Sequence, residues 1–136
     1  MKVHQNGTLP QNGEVFVFGS NLAGRHGAGA ARVAYEKFGA IMGKGCGMQG
    51  QSYAIPTKNE NIISMDMFSI KAHVDQFCKF VLDHQELNFF LTAVGCGLAH
   101  KSHKEMASLF TSLTKCDNIS IPHDWEPHLL GVIEWV

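Results

Sequence analysis

The chain has 136 residues, enough for one domain with its own hydrophobic core, and its composition (45% hydrophobic, 17% charged) is that of an ordinary globular protein. The formal net charge is -1 and Lys and Arg form no runs, which argues against a long nucleic acid as partner but not against a nucleotide. The four cysteines are widely spaced without a C-x-x-C pair, and the apolar runs are too short to cross a membrane, so we expect a cytoplasmic protein with reduced thiols.

The first elements are a strand and a helix. Residues 1–13 are polar and contain Gly, Asn and Pro, which predicts a loose segment or a short edge element. Val15–Phe18 is a continuous run of β-branched and aromatic residues, typical of a buried strand. From Gly27 to Phe38 apolar residues recur near helical spacing (Ala30, Ala31, Ala34 and Phe38), and Gly39 can end that helix.

The middle of the chain predicts a loop, a strand and the clearest helix. Residues 43–50 contain four glycines and are expected to form a loop. Tyr53–Ile55 is predicted as a short strand closed by Pro56. Asp66 can cap a long helix whose apolar face comprises Ile70, Val74, Phe77, Cys78, Val81 and Leu82.

Strands and a helix alternate in the last third as well. Phe89–Val94 predicts a second buried strand. The sequence Ser-His-Lys-Glu at 102–105 is a capping box, which indicates a helix from there to Leu113. Ile119–Ile121 predicts a short strand, and the apolar residues 129–136 favour neither strand nor helix.

This order predicts an α/β fold. The strand segments are continuously apolar rather than alternating, which indicates a sheet covered on both faces. Ligands of such sheets bind beyond the carboxyl ends of the strands. Glycine clusters follow Val15–Phe18 and Phe89–Val94 at that edge, and no linker or repeat divides residues 1–136, which we expect to form one domain.

Two of the glycine turns are suited to an anion. The sequence Gly-Arg-His-Gly-Ala-Gly at 24–29 leads from a strand into a helix N-terminus, where free N–H groups and the helix dipole favour negative charge. Gly95–Gly97 also follows a strand. Two such turns at one sheet edge could hold a diphosphate, and the alternative is a pair of tight turns without a ligand.

Other motifs give weaker indications of function. The G-x-G-x-x-G match at 45–50 precedes a strand, whereas the dinucleotide fingerprint must follow one and open a helix. Lys58 lies just after a predicted strand, stiffened by Pro56, and is either a site residue or a solvated lysine. Trp125 could stack on a base or lie in the core. The histidine pairs lack a carboxylate or cysteine at ligand spacing, so we expect no metal site and no cofactor.

Three segments, in this order and spacing, resemble the signature segments of macrodomains. The first is Arg-His-Gly-Ala-Gly-Ala-Ala at 25–31, with Lys-Phe-Gly at 37–39 ending the helix. The second is Tyr-Ala-Ile-Pro-Thr-Lys at 53–58, followed by a long amphipathic helix, and the third is Val-Gly-Cys-Gly-Leu at 94–98. The resemblance covers roughly residues 15–121 and is strongest to the branch containing terminal ADP-ribose hydrolase and the antitoxins that remove ADP-ribose from DNA.

The resemblance implies a compact three-layer α/β fold, in which helices flank a mostly parallel or mixed sheet. It implies that the glycine turns bind the diphosphate and distal ribose of ADP-ribose through backbone N–H groups, and that Lys58 is the catalytic residue of a hydrolase. The expected ligand-binding residues are Asn21, Arg25, His26, Gly27, Ala28, Gly29, Ala30, Thr57, Gly95, Cys96, Gly97, Leu98 and His100.

Two features depart from this resemblance. In the hydrolase most like this chain an aspartate follows Gly-Cys-Gly-Leu, whereas Ala99 and then His100 stand here. The antitoxin relatives act without an acid at that position. The usual acidic residue that contacts adenine near the N-terminus has no counterpart in residues 1–14.

The leading hypothesis is therefore a protein that binds ADP-ribose or a derivative and hydrolyses an ADP-ribosyl link on DNA or protein with Lys58. A module that binds ADP-ribose without turnover is the first alternative. A structural or partner-binding domain with vestigial loops is the second. A pocket blocked by Arg25 or Trp125 would favour that last reading.

Overall fold

A six-stranded sheet forms the centre of the protein, in the spatial order β1-β6-β5-β2-β4-β3. The structure is a computed structural model and describes residues 1–11 and 13–131. The strands are β1 (Lys2–His4), β2 (Val15–Asn21), β3 (Gly47–Gln49), β4 (Ser52–Lys58), β5 (Phe89–Leu91) and β6 (Ile119–Pro122). The helices are α1 (Gly29–Lys37), α2 (Met67–Asp83), α3 (His103–Ser108) and α4 (Glu126–Leu129), with 3-10 turns at Thr111–Leu113 and His123–Trp125.

The sheet is mixed but mostly parallel. Strands β1, β6, β5, β2 and β4 run parallel to one another, and among the described strands only the edge strand β3 is antiparallel, against β4. The carboxyl ends of β2, β4 and β5 therefore meet at one edge of the sheet. This architecture confirms the predicted α/β class with helices flanking a central sheet.

Alternate residues of β2 fill the two cores. Val15 and Val17 pack in the larger cluster, with α2 and α3, on one face of the sheet. Phe16 and Phe18 pack in the smaller cluster, with α1, on the other face. Because both faces are covered, the strand is continuously apolar, as its sequence predicts.

Helix α2 begins as predicted, because Asp66 Oδ1 accepts the Ser69 N–H at 2.7 Å. The predicted apolar face is buried from Ile70 to Val81. Leu82 is an exception: it is 47% exposed, so placing it on that face was wrong. The reason is geometric, since each residue turns the helix by about 100° and carries Leu82 out of the stripe that ends at Val81.

Several strand boundaries differ from those predicted. Strand β4 continues through Pro56 to Lys58. Its neighbour β3 pairs with Ser52–Ala54 and does not reach Pro56, so β3 needs no N–H donor at that position. The segment 43–50, predicted as a loop, contains β3. Strand β5 ends at Leu91, three residues before the predicted end.

The terminal regions add elements that the sequence pattern left open. Residues 2–4 form β1 and pair with β6, so the start of the chain contains an edge strand. Helix α3 ends at Ser108, and a 3-10 turn rather than an α-helix reaches Leu113. Trp125 is fully buried in the larger core, which selects the core alternative. Of the apolar tail, 132–136 lies outside the described residues.

Two loops pack backbone against backbone beneath the carboxyl edge of the sheet. A Cβ atom on Gly45 would lie 2.1 Å from the Asn21 carbonyl oxygen, and one on Gly24 would lie 2.3 Å from the Gly43 carbonyl carbon. The Gly43 N–H donates to the Gly24 carbonyl at 2.9 Å, and the Ser20 hydroxyl donates to the Gly45 carbonyl. Gly24 and Gly45 are therefore needed for this close approach.

Replacing Gly45 with alanine should destabilise the fold strongly, because the added carbon meets backbone that cannot move aside. We expect the free energy of unfolding, measured by urea denaturation, to fall by about 3 kcal/mol or more. Gly27→Ala is the matched control, since a Cβ there meets nothing within 4 Å, and it should change the value by less than about 1 kcal/mol. Equal stability of the two variants would contradict the packing described.

His4 on the edge strand is held in a neutral form. Its ring stacks on Phe90 with centroids 3.7 Å apart, and its Nδ1 lies 2.8 Å from the Ser120 hydroxyl. Burial lowers the pKa of His4 from 6.5 to about 4, although the charge of Glu14 and the Leu91 carbonyl act in the opposite direction.

This pKa predicts a stability change in mild acid. Between pH 6.5 and 4 the unfolded chain takes up the His4 proton and the folded protein does not, so unfolding becomes more favourable as the pH falls. His4→Phe keeps the ring stack and removes the titration. It should show a smaller decrease in Tm over this range than the parent, whereas the same change at the exposed His128 should leave the parent's decrease intact. Superimposable profiles for His4→Phe and parent would refute the assignment.

Candidate functional site

A cavity of about 740 Å³ opens at the carboxyl edge of the sheet. One wall is the loop after β2 with the start of α1, and the other is the loop after β5. All the predicted site residues except His26 and His100 line this cavity. Arg25 is exposed at its rim and Trp125 does not reach it, so neither residue blocks the space.

The N-terminus of α1 faces the cavity without a cap. Ala28 precedes the helix in an extended conformation and no side chain caps the first turn, which also lacks an acidic residue. Gly29 begins the helix with a positive φ of 59°, a conformation that glycine adopts without strain. The first N–H groups and the positive end of the helix dipole are thus available to an anion in the cavity.

The loop before α1 is held by the Asn21 side chain. Its Nδ2 donates to the Arg25 carbonyl at 2.9 Å, and its Oδ1 accepts the Arg25 N–H at 3.0 Å. Asn21 is itself buried at the end of β2. Its amide therefore fixes the conformation of the loop, which in turn sets the positions of Gly27 and Gly29.

The loop after β5 is a compact turn that is closed by its own backbone. The His100 N–H donates to the Gly97 carbonyl at 3.0 Å, and the Lys101 N–H donates to the Gly95 carbonyl at 2.8 Å. Gly95 has a φ of 80°, and a Cβ there would approach the Met106 sulfur to 3.0 Å. Gly97 is different, since nothing lies within 4 Å of the position of its Cβ. The turn thus presents open backbone to the cavity at Gly97.

Cys96 lies in this turn, but its environment disfavours the thiolate. Burial raises the pKa of the Cys96 thiol to about 11, with the charges of Asp124 and Glu105 adding to the effect. The thiol therefore stays protonated at neutral pH, and the protonated form is a poor nucleophile. The arrangement favours a contact role over a covalent one.

Lys58 is the last residue of β4 and lines the cavity. Its side-chain amine has no hydrogen bond or ion pair to any residue within 1–11 and 13–131. Neighbouring Thr57 is buried, and its hydroxyl donates to the Ser20 carbonyl at 3.4 Å. Ala99, at the position where the sequence resemblance implies an acid, also lines the cavity.

Two of the expected ligand-binding residues, His26 and His100, do not line the cavity. His26 is fully buried: its Nε2 lies 3.0 Å from the Lys44 carbonyl, and its ring meets the Phe18 ring edge-on at 5.2 Å. It holds the loop from beneath. His100 follows the cavity turn with a φ of 60°.

The cavity lining also includes residues outside the expected ligand-binding set. They are Gly19, Ser20, Ala31, Ile62, Thr92, Ala93, Val94, Ala99 and His103. Residues 92–94 were assigned to a strand, and residue 62 was assigned to no element. The Nδ1 of His103 accepts a hydrogen bond from the buried Trp125 Nε1 at 3.0 Å, so its ring proton is on Nε2. A lone histidine in a capping box gives no signal of this position.

The described part of the chain contains no group of three or more metal-ligating side chains that could hold an ion. No described helix combines the length and apolar character that crossing a membrane requires. All four cysteines carry free thiols.

Comparison with known proteins identifies the fold. No model of a protein family and no curated protein matches this chain. Among solved structures, the macrodomain of DarG from Mycobacterium tuberculosis aligns over 90% of this chain and 97% of its own, with 14% identity and a TM-score of 0.65.

Two further structures align in the same way. A protein from Bacteroides thetaiotaomicron aligns over 90% of this chain and 99% of its own, with 14% identity and a TM-score of 0.60. DarTG from Thermosipho africanus, solved in complex with ADP-ribose, aligns over 81% of this chain and 38% of its own, with 18% identity and a TM-score of 0.56. The sequence resemblance is thus confirmed at the level of architecture: this chain has the macrodomain fold.

Proposed function

We propose that this chain binds ADP-ribose or an ADP-ribose derivative in the cavity at the carboxyl edge of its sheet. The observation that carries the proposal is the juxtaposition of two open glycine turns with the uncapped N-terminus of α1 around one cavity of about 740 Å³. The fold is also that of a protein solved with ADP-ribose. A nucleoside diphosphate joined to a second sugar suits this arrangement. Its diphosphate would lie between the two turns, and its nucleoside and second sugar would extend to either side.

The charges of the cavity support an anionic ligand. Arg25 lines it, and among residues 1–11 and 13–131 its lining includes no acidic residue. The diphosphate would lie between Gly27 and Gly97, where backbone N–H groups can approach without side chains intervening. The distal ribose would then extend toward Lys58.

We further propose that Lys58 makes the protein a hydrolase of an ADP-ribosyl link. The unprotonated amine attacks the anomeric carbon of the distal ribose, forming a C–N bond as the bond to the linked DNA or protein group breaks. The released group takes up a proton. Water then cleaves the C–N bond, which frees ADP-ribose and restores the amine. The Lys58 amine has no partner within residues 1–11 and 13–131, which supports its availability for such an attack.

The binding proposal predicts that filling the open glycine positions blocks the ligand. By titration calorimetry, ADP-ribose should bind the parent far better than AMP or ribose 5-phosphate, which span only part of the cavity. Gly27→Val and Gly97→Val should each weaken binding by at least about tenfold. Neither position has a positive φ or a neighbour within 4 Å, so both variants should keep the parent's Tm within about 3 °C.

An alanine series provides the control, because Gly27→Ala and Gly97→Ala add a single carbon and should lower affinity less than valine does. Parent-like affinity in both valine variants would show that the ligand does not occupy this cavity. No binding of ADP-ribose by the parent would leave the structural-domain alternative.

The hydrolysis proposal predicts that Lys58 contributes to rate far more than to affinity. Lys58→Ala should lose release of ADP-ribose by about 100-fold or more while keeping its affinity within about threefold, since a group used in the transition state adds little to ground-state binding. Lys58→Arg should be equally inactive, because a guanidinium stays protonated near neutral pH. The substrates are ADP-ribosylated DNA and peptides bearing ADP-ribosyl esters of acidic residues.

Lys44→Ala is the matched control: Lys44 is exposed, and its amine donates to the Met48 carbonyl outside the cavity. It should retain the parent's rate. Release by Lys58→Ala at the parent's rate would exclude the mechanism. A parent that binds ADP-ribose but releases none from either substrate would establish the non-catalytic binding module instead.

A further inference from the structure

Ile62 has a backbone conformation that its side chain disfavours. Its φ is 63°, and Ile62 and His100 are the two non-glycine residues with positive φ in the described part of the chain. Histidine is tolerated there more often, whereas a β-branched residue is a genuine outlier because its Cβ crowds the following carbonyl. Such strain persists only where the surrounding structure imposes it, and strained residues cluster at functional sites.

The turn around Ile62 is fixed by a dense set of hydrogen bonds. The Asn59 N–H donates to the Ile63 carbonyl at 2.8 Å, and the Ile62 N–H donates to the Asn59 carbonyl at 3.0 Å. The Asn59 side-chain oxygen accepts the N–H groups of Asn61 and Ile63 at 2.9 and 3.1 Å. The turn therefore holds the left-handed conformation whatever residue occupies position 62, and a glycine or asparagine would fit it better.

Ile62 lies at the candidate site. Its side chain lines the cavity and remains 36% exposed, so it is only partly covered by the protein. The turn starts directly after Lys58, and Lys58 pairs with Ser64 across its base. The Ser64 hydroxyl donates to the Ala99 carbonyl at 3.1 Å, which joins this turn to the opposite wall. Ile62 thus forms an apolar part of the cavity lining, in the turn that follows Lys58.

We propose that Ile62 is a ligand-contact residue that covers the distal ribose next to Lys58, and that the protein retains it despite the strain of its backbone for this contact. The inference rests on the proposed binding of ADP-ribose. Its physical content is that an apolar side chain excludes water from the reacting end of the ligand, which asparagine in the same turn would not do.

The test separates strain from contact with one substitution. Ile62→Asn relieves the strained φ, since asparagine is among the residues that tolerate it, and should raise Tm by about 2–5 °C. It should weaken ADP-ribose binding by roughly tenfold, the effect of exposing much of a buried isoleucine. ADP, which lacks the distal ribose, should bind parent and variant equally. Ile62→Val keeps both strain and apolar contact, and should stay near the parent in both measurements.

The same substitution at the next residue is the matched control. Ile63 is 60% exposed, lies outside the cavity lining and has no positive φ, so Ile63→Asn should leave affinity unchanged and should not raise Tm. Parent-like ADP-ribose affinity in Ile62→Asn, an equal loss for ADP, or a fall in its Tm would each overturn the inference. A parent that does not bind ADP-ribose would refute the proposed function and, with it, this inference. A parent that binds ADP-ribose together with an Ile62→Asn variant that binds equally well would refute this inference alone.

Discussion

The close approach of two backbone segments supports the whole candidate site. The loop that forms the first cavity wall consists of glycine and alanine around Arg25 and His26, so few side chains of its own can anchor it. It is instead held from below by the segment 43–45, because the lack of a side chain at Gly24 and Gly45 allows main chain to lie directly on main chain. The Asn21 amide and the buried His26 ring then add fixed hydrogen bonds to it. Rigid support leaves the upper surface of the loop bare.

The parallel sheet brings the second wall to the same place. Strands β2, β4 and β5 end at one edge, so the loops that follow them converge without needing contacts of their own. The convergence is tight, because a Cβ on Gly19 would lie 3.4 Å from the Gly95 nitrogen. The apolar burial that orders β2 on both faces therefore also positions the strand end from which one cavity wall begins.

Local patterns predict the parts of this structure that local interactions determine. Strand β2, helix α2 and the capping box at Ser102 follow from hydrophobic period and cap chemistry, and each forms as expected apart from its exact ends. Strand β3 could not be predicted, because its glycine-rich segment becomes a strand only through pairing with β4. Similarly, β4 passes through Pro56 only because its neighbour has ended.

The candidate site shows the same division. The glycine turns and Lys58 carry a signal in sequence because backbone access and a strand exit require particular residues. The orientation of His26 carries none, since a loop residue can face the ligand or the core with the same neighbours. Ile62 was missed for a related reason. The hydrogen bonds of Asn59 impose its left-handed conformation, and an isoleucine in sequence does not indicate such a conformation.

At the start of α1, the residue that would best stabilise the helix is not the residue that leaves its N–H groups free. Serine, aspartate or asparagine at Ala28 would satisfy the first N–H groups and stabilise the helix by about 1 kcal/mol. The same side chain would occupy the N–H groups that an anion needs, and aspartate would repel it. If the cavity binds a phosphate group as proposed, a variant stabilised at that position would bind it less well, so stability and the proposed binding favour different residues at Ala28.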